Sequence, residues 1–73
     1  MSITIKDLVV SKLMAGDFLL LKYLRGKAII DVDGLVFCFN VKDKATISNS
    51  PIFIKLDESQ NKILRSRIYN KIV

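Results

Sequence analysis

The chain has 73 residues, 51% of them hydrophobic, with three Gly, one Pro and a formal charge of +5 at pH 7. That length suits one domain (1–73) near the lower limit for independent folding, and the composition excludes a disordered or low-complexity segment. With no His and a single Cys, an intrachain disulfide framework, a Cys–His zinc site and Ser–His or Cys–His catalysis are all excluded.

Residues 3–14 predict a helix. Thr4 is placed to cap it, Asp7 sits at the third helical position, and Ile3 and Leu8 are spaced for a hydrophobic staple. Its apolar residues cover much of the circumference, so the helix is expected to be well buried or to touch a partner. Gly16 ends it, and Asp17 is placed to cap a second helix over 17–26 that stops at Gly26. Only Lys22 and Arg25 interrupt the apolar surface of that second helix, which makes it a core element.

The next stretch, "AIIDVDGLVFCF" (28–39), is read as a hairpin about a two-residue Asp33-Gly34 turn. Pairing Val32 with Leu35, Asp31 with Val36, Ile30 with Phe37, Ile29 with Cys38 and Ala28 with Phe39 sorts the side chains. One face then holds Ala28, Ile30, Val32, Leu35, Phe37, Phe39 and Val41, all apolar. The other holds Lys27, Ile29, Asp31, Val36, Cys38, Asn40 and Lys42, which is mixed.

Residues 42–51 are polar, with a very short strand at 46–48. Residues 51–56 alternate again, with Ile52, Ile54 and Leu56 inward, Phe53 and Lys55 outward, and Pro51 at the strand start. Asp57, with Gln60 three residues on, caps a C-terminal helix whose inner stripe is Leu64, Ile68 and Ile72. The expected fold is therefore α+β, in the order α-α-β-β-β-α, with a three-stranded antiparallel sheet packed on helices.

The stretch 28–39 also resembles the start of the nucleophile strand in phosphatases of the haloacid dehalogenase type. That resemblance implies Asp31 as nucleophile and Asp33 as general acid/base. It is confined to these residues, and Leu35 stands where the family carries Thr or Val after the Gly. The family also needs a parallel sheet whose crossovers take roughly a dozen or more residues each, which 73 residues do not accommodate. A calcium loop counted from Asp31 fails too, because the sixth position should be Gly and the twelfth Glu. Gly34 is fourth, and Lys42 is twelfth.

A helix-turn-helix over 8–26 would present only Lys22 and Arg25 to base edges, and the hairpin tip carries two aspartates. The tract 8–24 contains Lys12, Asp17 and Lys22. Each charge costs ~2.5–3.5 kcal/mol at a bilayer centre, so no membrane span is expected. No cleavable signal is expected either, and the location is expected to be cytoplasmic. Richness in Ile and Lys fits an AT-rich genome such as many phages and viruses carry.

Two surfaces are left as candidates. If residues 52–56 run antiparallel to 35–41, Asp57 and Glu58 return to the acidic turn end. Arg25, Lys27, Lys42 and Lys44 then meet at the open end of the hairpin, joined by Arg67 and Lys71, as a docking patch for phosphates or an acidic protein. The mixed sheet face, with Ile29, Val36, Cys38 and Phe53, suits a partner or a second copy unless the first helix covers it. The functional expectation is a small, basic, non-enzymatic interaction protein without a cofactor. In that reading it is a viral or phage accessory factor that binds and modulates a larger host protein. The alternative is a DNA- or RNA-binding regulatory protein using the basic end.

Overall fold

The computed structural model describes residues 3–48, 50 and 52–72; Pro51, the expected strand start, lies outside the described residues. The first helix, α1 (Ile5–Ala15), begins where expected. The Asp7 N–H donates to Thr4 Oγ1 at 3.1 Å, which satisfies one of the amides left free at a helix start. It ends at Gly16, whose φ of 79° is left-handed, with the Asp17 N–H returning to the Lys12 carbonyl at 2.8 Å. Only one stripe is buried, Val9 and Leu13, while Ile3, Ile5 and Leu8 stay exposed.

The expected second helix is a strand, β1 (Leu19–Leu24). It pairs antiparallel with β2 (Lys27–Val32) across a two-residue turn in which Arg25 (φ 52°) and Gly26 (φ 78°) are both left-handed. Such a turn has the twist that adjacent antiparallel strands require. The misreading has a local cause. The register shifts between Leu20 and Lys22, so Leu21 is an extra, bulged residue. Leu20 opposite Ile30 and Tyr23 opposite Ala28 therefore both turn to the core, three residues apart. A bulge thus converts the strand's period of two into a spacing that reads as helical.

From β2 the chain turns through Asp33 (φ 51°) and Gly34 (φ 87°) into β3 (Leu35–Asn40). The register is the expected one, from Val32 opposite Leu35 to Ala28 opposite Phe39. The sheet order is β1-β2-β3, a meander in which every strand neighbours the next in sequence. Of the seven residues assigned to the apolar face, six are fully buried, and Leu35, beside the turn, is 42% exposed. Both helices lie on this face. Val9, Leu13, Leu64 and Ile68 complete a core with Ala28, Ile30, Val32, Phe37, Phe39 and Val41. Each large aliphatic or aromatic side chain buried there contributes ~1.5–3 kcal/mol.

Residues 52–56 do not form the third strand of this sheet. Strand β5 (Lys55–Leu56) pairs instead with β4 (Thr46–Ile47) in a separate two-stranded ribbon. Ser48 bridges to Phe39 on the free edge of β3, so the segment after β4 meets the edge that residues 52–56 were expected to occupy. Ser48 closes the ribbon's loop. Its N–H donates to the Ile54 carbonyl, and its Oγ accepts from the Ile54 N–H, both at 2.8 Å. The inward set survives this change: Ile54 and Leu56 are buried and Ile52 packs against the core.

The last helix, α2 (Glu58–Ile72), opens with reciprocal hydrogen bonds. The Gln60 N–H donates to Asp57 Oδ1 at 2.7 Å, and the Asp57 N–H donates to Gln60 Oε1 at 3.1 Å. Leu64 and Ile68 are buried, whereas Ile72 is exposed. One buried polar residue anchors its first turn. The Asn61 amide donates to the carbonyls of Asp43 (2.7 Å) and Val41 (3.4 Å), and its Oδ1 bonds the Thr46 hydroxyl. Further along, Arg67 Nε donates to the Met14 carbonyl at 2.7 Å and joins the two helices. The architecture is a two-layer α+β domain, α-β-β-β-β-β-α, with two helices backing a three-stranded antiparallel sheet. No helix among the described residues is long and apolar enough to cross a membrane.

Candidate interaction surfaces

With both helices on one side, the other face of the β1–β3 sheet is left open. The pairing registers arrange it in three rows: Leu24–Lys27–Asn40, Lys22–Ile29–Cys38 and Leu19–Asp31–Val36. Leu19 is 65% exposed, Leu24 57% and Val36 52%, and the bulged Leu21 is exposed beside them. Cys38 and Ile29 are half-buried near the centre. Lys22, Leu24, Lys27, Ile29 and Cys38 line a recess of about 180 Å³. Burial of this kind is what an aliphatic residue shows when its own sheet is its only cover.

Of the four residues assigned to this face, Ile29, Val36 and Cys38 lie on it together. Phe53 does not, because residues 52–56 left the sheet. It is 56% exposed beside the start of α1, with Lys6 Nζ 5.9 Å from its ring centroid. Leu19, Lys22 and Leu24 were missed, since a helical reading of 17–26 hides the face they share. The usable signal was Arg25-Gly26. A left-handed-capable Gly immediately before a strand is also the second half of a two-residue turn.

The basic residues divide into two groups. Arg25 occupies the β1–β2 turn, Lys27 starts β2, and Lys42 lies over Gly26, its Cβ 2.9 Å from where a Cβ on that glycine would stand. The Val41 N–H donates to the Gly26 carbonyl at 2.8 Å, which draws the start of the 41–45 loop, with Lys44 in it, to the same end. Arg67 and Lys71 are at the opposite end. Lys71 Nζ lies 4.7 Å from the Phe18 ring centroid and lines a cavity of about 360 Å³ with Asp17, Asp31 and Asp33. The charge separation expected along α2 is therefore reversed. Because the chain enters α2 from β5 beside the 41–46 segment, Asp57 and Glu58 start at the open end of the hairpin and Lys71 finishes at its turn.

The aspartates of that turn have structural partners. Asp31 Oδ1 accepts the Gly34 N–H at 2.8 Å, closing the turn. Lys12 Nζ reaches Asp33 Oδ2 at 3.1 Å and Asp17 Oδ2 at 3.3 Å, tying α1 to the hairpin tip. The hydrogen bonds that Lys12 donates to Asp33 and then to Asp17, with the negative charge of both, raise the Lys12 pKa above the ordinary lysine value. Among the described residues, no group of three or more His, Cys, Asp or Glu is arranged to hold a metal ion.

No protein-family model, curated protein or solved structure matches this chain. The functional reading accordingly rests on these surfaces.

Proposed function

We propose that this chain is a small non-enzymatic interaction protein that binds and modulates a larger protein, using the open face of the β1–β3 sheet. The observation that carries the reading is that face, where Leu19, Leu24 and Val36 are each more than half exposed around Ile29 and Cys38. A contiguous apolar patch on a small domain is often a docking site. Binding that alters a partner's activity stoichiometrically needs no catalytic group. The reading is therefore consistent with Asp31 being engaged by its own turn. The Ile- and Lys-rich composition favours a phage or viral accessory factor acting in the cytoplasm of a host.

The test is affinity capture from a host extract with the wild-type chain and with an Ile29→Lys/Val36→Lys variant, followed by mass spectrometry. Proteins retained by the wild type should be lost from the variant. Equal retention by both removes the open face from the proposal.

One observation favours a second reading, nucleic-acid binding. Arg25, Lys27 and Lys42 gather at one end of the sheet, next to Lys44. Binding through phosphates falls steeply and log-linearly with salt. A gel shift at low salt that detects no DNA or RNA complex eliminates it.

A further inference from the structure

We infer that the open face receives an amphipathic helix of the partner protein, with an aliphatic anchor in the recess and carboxylates one turn away on Lys22 and Lys27. This rests on the protein-binding reading above and specifies its partner. The recess supplies the chemistry. Leu24, Ile29 and Cys38 give it an apolar lining, and Lys22 and Lys27 line it as well. On a helix, residues three or four apart lie about 5–6 Å from one another, so an aliphatic anchor and an Asp or Glu at that spacing share one face. The only acid in the three rows is Asp31, whose carboxylate already accepts the Gly34 N–H, so the face presents net positive charge.

The dimensions agree. Three strands ~4.8 Å apart, with ~3.4 Å per residue along them, give a patch of roughly 15 by 20 Å including side chains. That matches the ~10–12 Å diameter of one helix over about four turns. Charge argues against a second copy as occupant. Facing two copies across a two-fold axis along the strands sets Lys27 on Lys27 and Asp31 on Asp31. An axis across the strands sets Lys22 on Lys22 while it places Lys27 opposite Asp31, and each chain carries a charge of +5. Nucleic acid is disfavoured because the rows contain no aromatic side chain on which bases could stack.

The experiment is selection of a displayed library of sixteen-residue helical peptides, randomised outside an aliphatic stripe, against the full-length chain. The selected peptides are expected to carry Asp or Glu three or four residues from an aliphatic anchor. Their affinity should fall about tenfold in Lys22→Glu/Lys27→Glu and be lost in Ile29→Lys. The lysine pair is exposed, so that variant keeps the test valid if Ile29→Lys fails to fold, and circular dichroism checks both. Selected peptides lacking acid enrichment overturn the inference while the capture experiment still decides the protein-binding reading. Failure to select any peptide overturns it as well. So does a dimer by size-exclusion chromatography that Ile29→Lys dissociates, which would put a second copy on the face. Salt-sensitive binding of a 20-nucleotide DNA or RNA, abolished by Lys22→Glu/Lys27→Glu, overturns both readings.

Discussion

Truncation of Asn61 should be among the most damaging single changes to this fold. The side chain is buried in the first turn of α2 and donates to the Asp43 carbonyl at 2.7 Å and the Val41 carbonyl at 3.4 Å, while its Oδ1 bonds the Thr46 hydroxyl. In Asn61→Ala the Thr46 hydroxyl keeps the Asn40 carbonyl at 3.2 Å, so it is not orphaned. The Val41 and Asp43 carbonyls lose their amide donor, and a void replaces it. A buried polar group left unpaired costs about 1–3 kcal/mol; the partly buried Asp43 carbonyl, within reach of water, belongs at the low end. With the void the expected loss is about 2–4 kcal/mol. A domain of this length has roughly 4–11 kcal/mol in all, so the variant would lose a large share of its stability.

Thr46→Val should lose about 1–3 kcal/mol by stranding Asn61 Oδ1. The double variant should lose less than the sum by at least about 1 kcal/mol, because the groups form one unit. Urea unfolding followed by far-UV circular dichroism measures all three, with equal slopes confirming a comparable transition. Additive single effects, or an Asn61→Ala loss below about 0.5 kcal/mol, would show that packing alone holds α2 to the 41–46 segment.

Three further outcomes are expected. Gly26→Ala and Gly34→Ala each place a Cβ at positive φ, at about 1–2 kcal/mol. Gly26→Ala should melt lower, because its Cβ would lie 2.9 Å from that of Lys42, whereas nothing stands within 4 Å at Gly34. Thermal melts giving the reverse order would contradict the turn geometry. Deleting Leu21 should leave a folded chain, since the pairs Leu20–Ile30, Lys22–Ile29 and Tyr23–Ala28 do not involve it. Deleting Ile29 from the central strand should unfold it, and amide chemical shifts distinguish these results. The Lys12 ties to Asp33 and Asp17 raise its pKa, so their stabilisation is complete below the ordinary lysine value of about 10.4 and is lost as pH rises through the raised one. The difference in urea midpoint between the wild type and Lys12→Met should hold steady from pH 7 to about pH 10 and shrink above it; a difference that shrinks before pH 9 would refute this.

The hairpin from Ala28 to Phe39 was legible to the residue because three independent signals agreed: a left-handed-capable Asp-Gly pair, alternation on both sides, and equal strand lengths. Both helix starts were legible for a similar reason, since Thr4 with Asp7 and Asp57 with Gln60 are purely local chemistry. Residues 19–24 were not, because one inserted leucine erased the alternation and leucine itself favours helix. The strand at 52–56 was half legible. Its inward residues are those that alternation indicates, but its partner is β4, and the edge of β3 is bridged by Ser48 instead. The same error hid half of the open face, since Leu19, Lys22 and Leu24 join Ile29 and Cys38 only once β1 is a strand. Asn61 carried no sequence signal, because an exposed helical asparagine and a buried one look alike until the 41–46 segment is in place.

The strand order has a consequence for how the molecule comes into being. Each strand of the main sheet finds its neighbour through a two-residue turn, so assembly requires little loop-closure entropy. Hairpins of this kind close in ~1–10 μs. During synthesis at ~5–20 residues per second, all three strands could pair as soon as Asn40 had cleared the ribosome, well before α2 was available. The sheet would then wait with its inner face covered by α1 alone until Asn61 reached the 41–46 segment. In that order of events the fifteen-residue α2, rather than the sheet, completes the core.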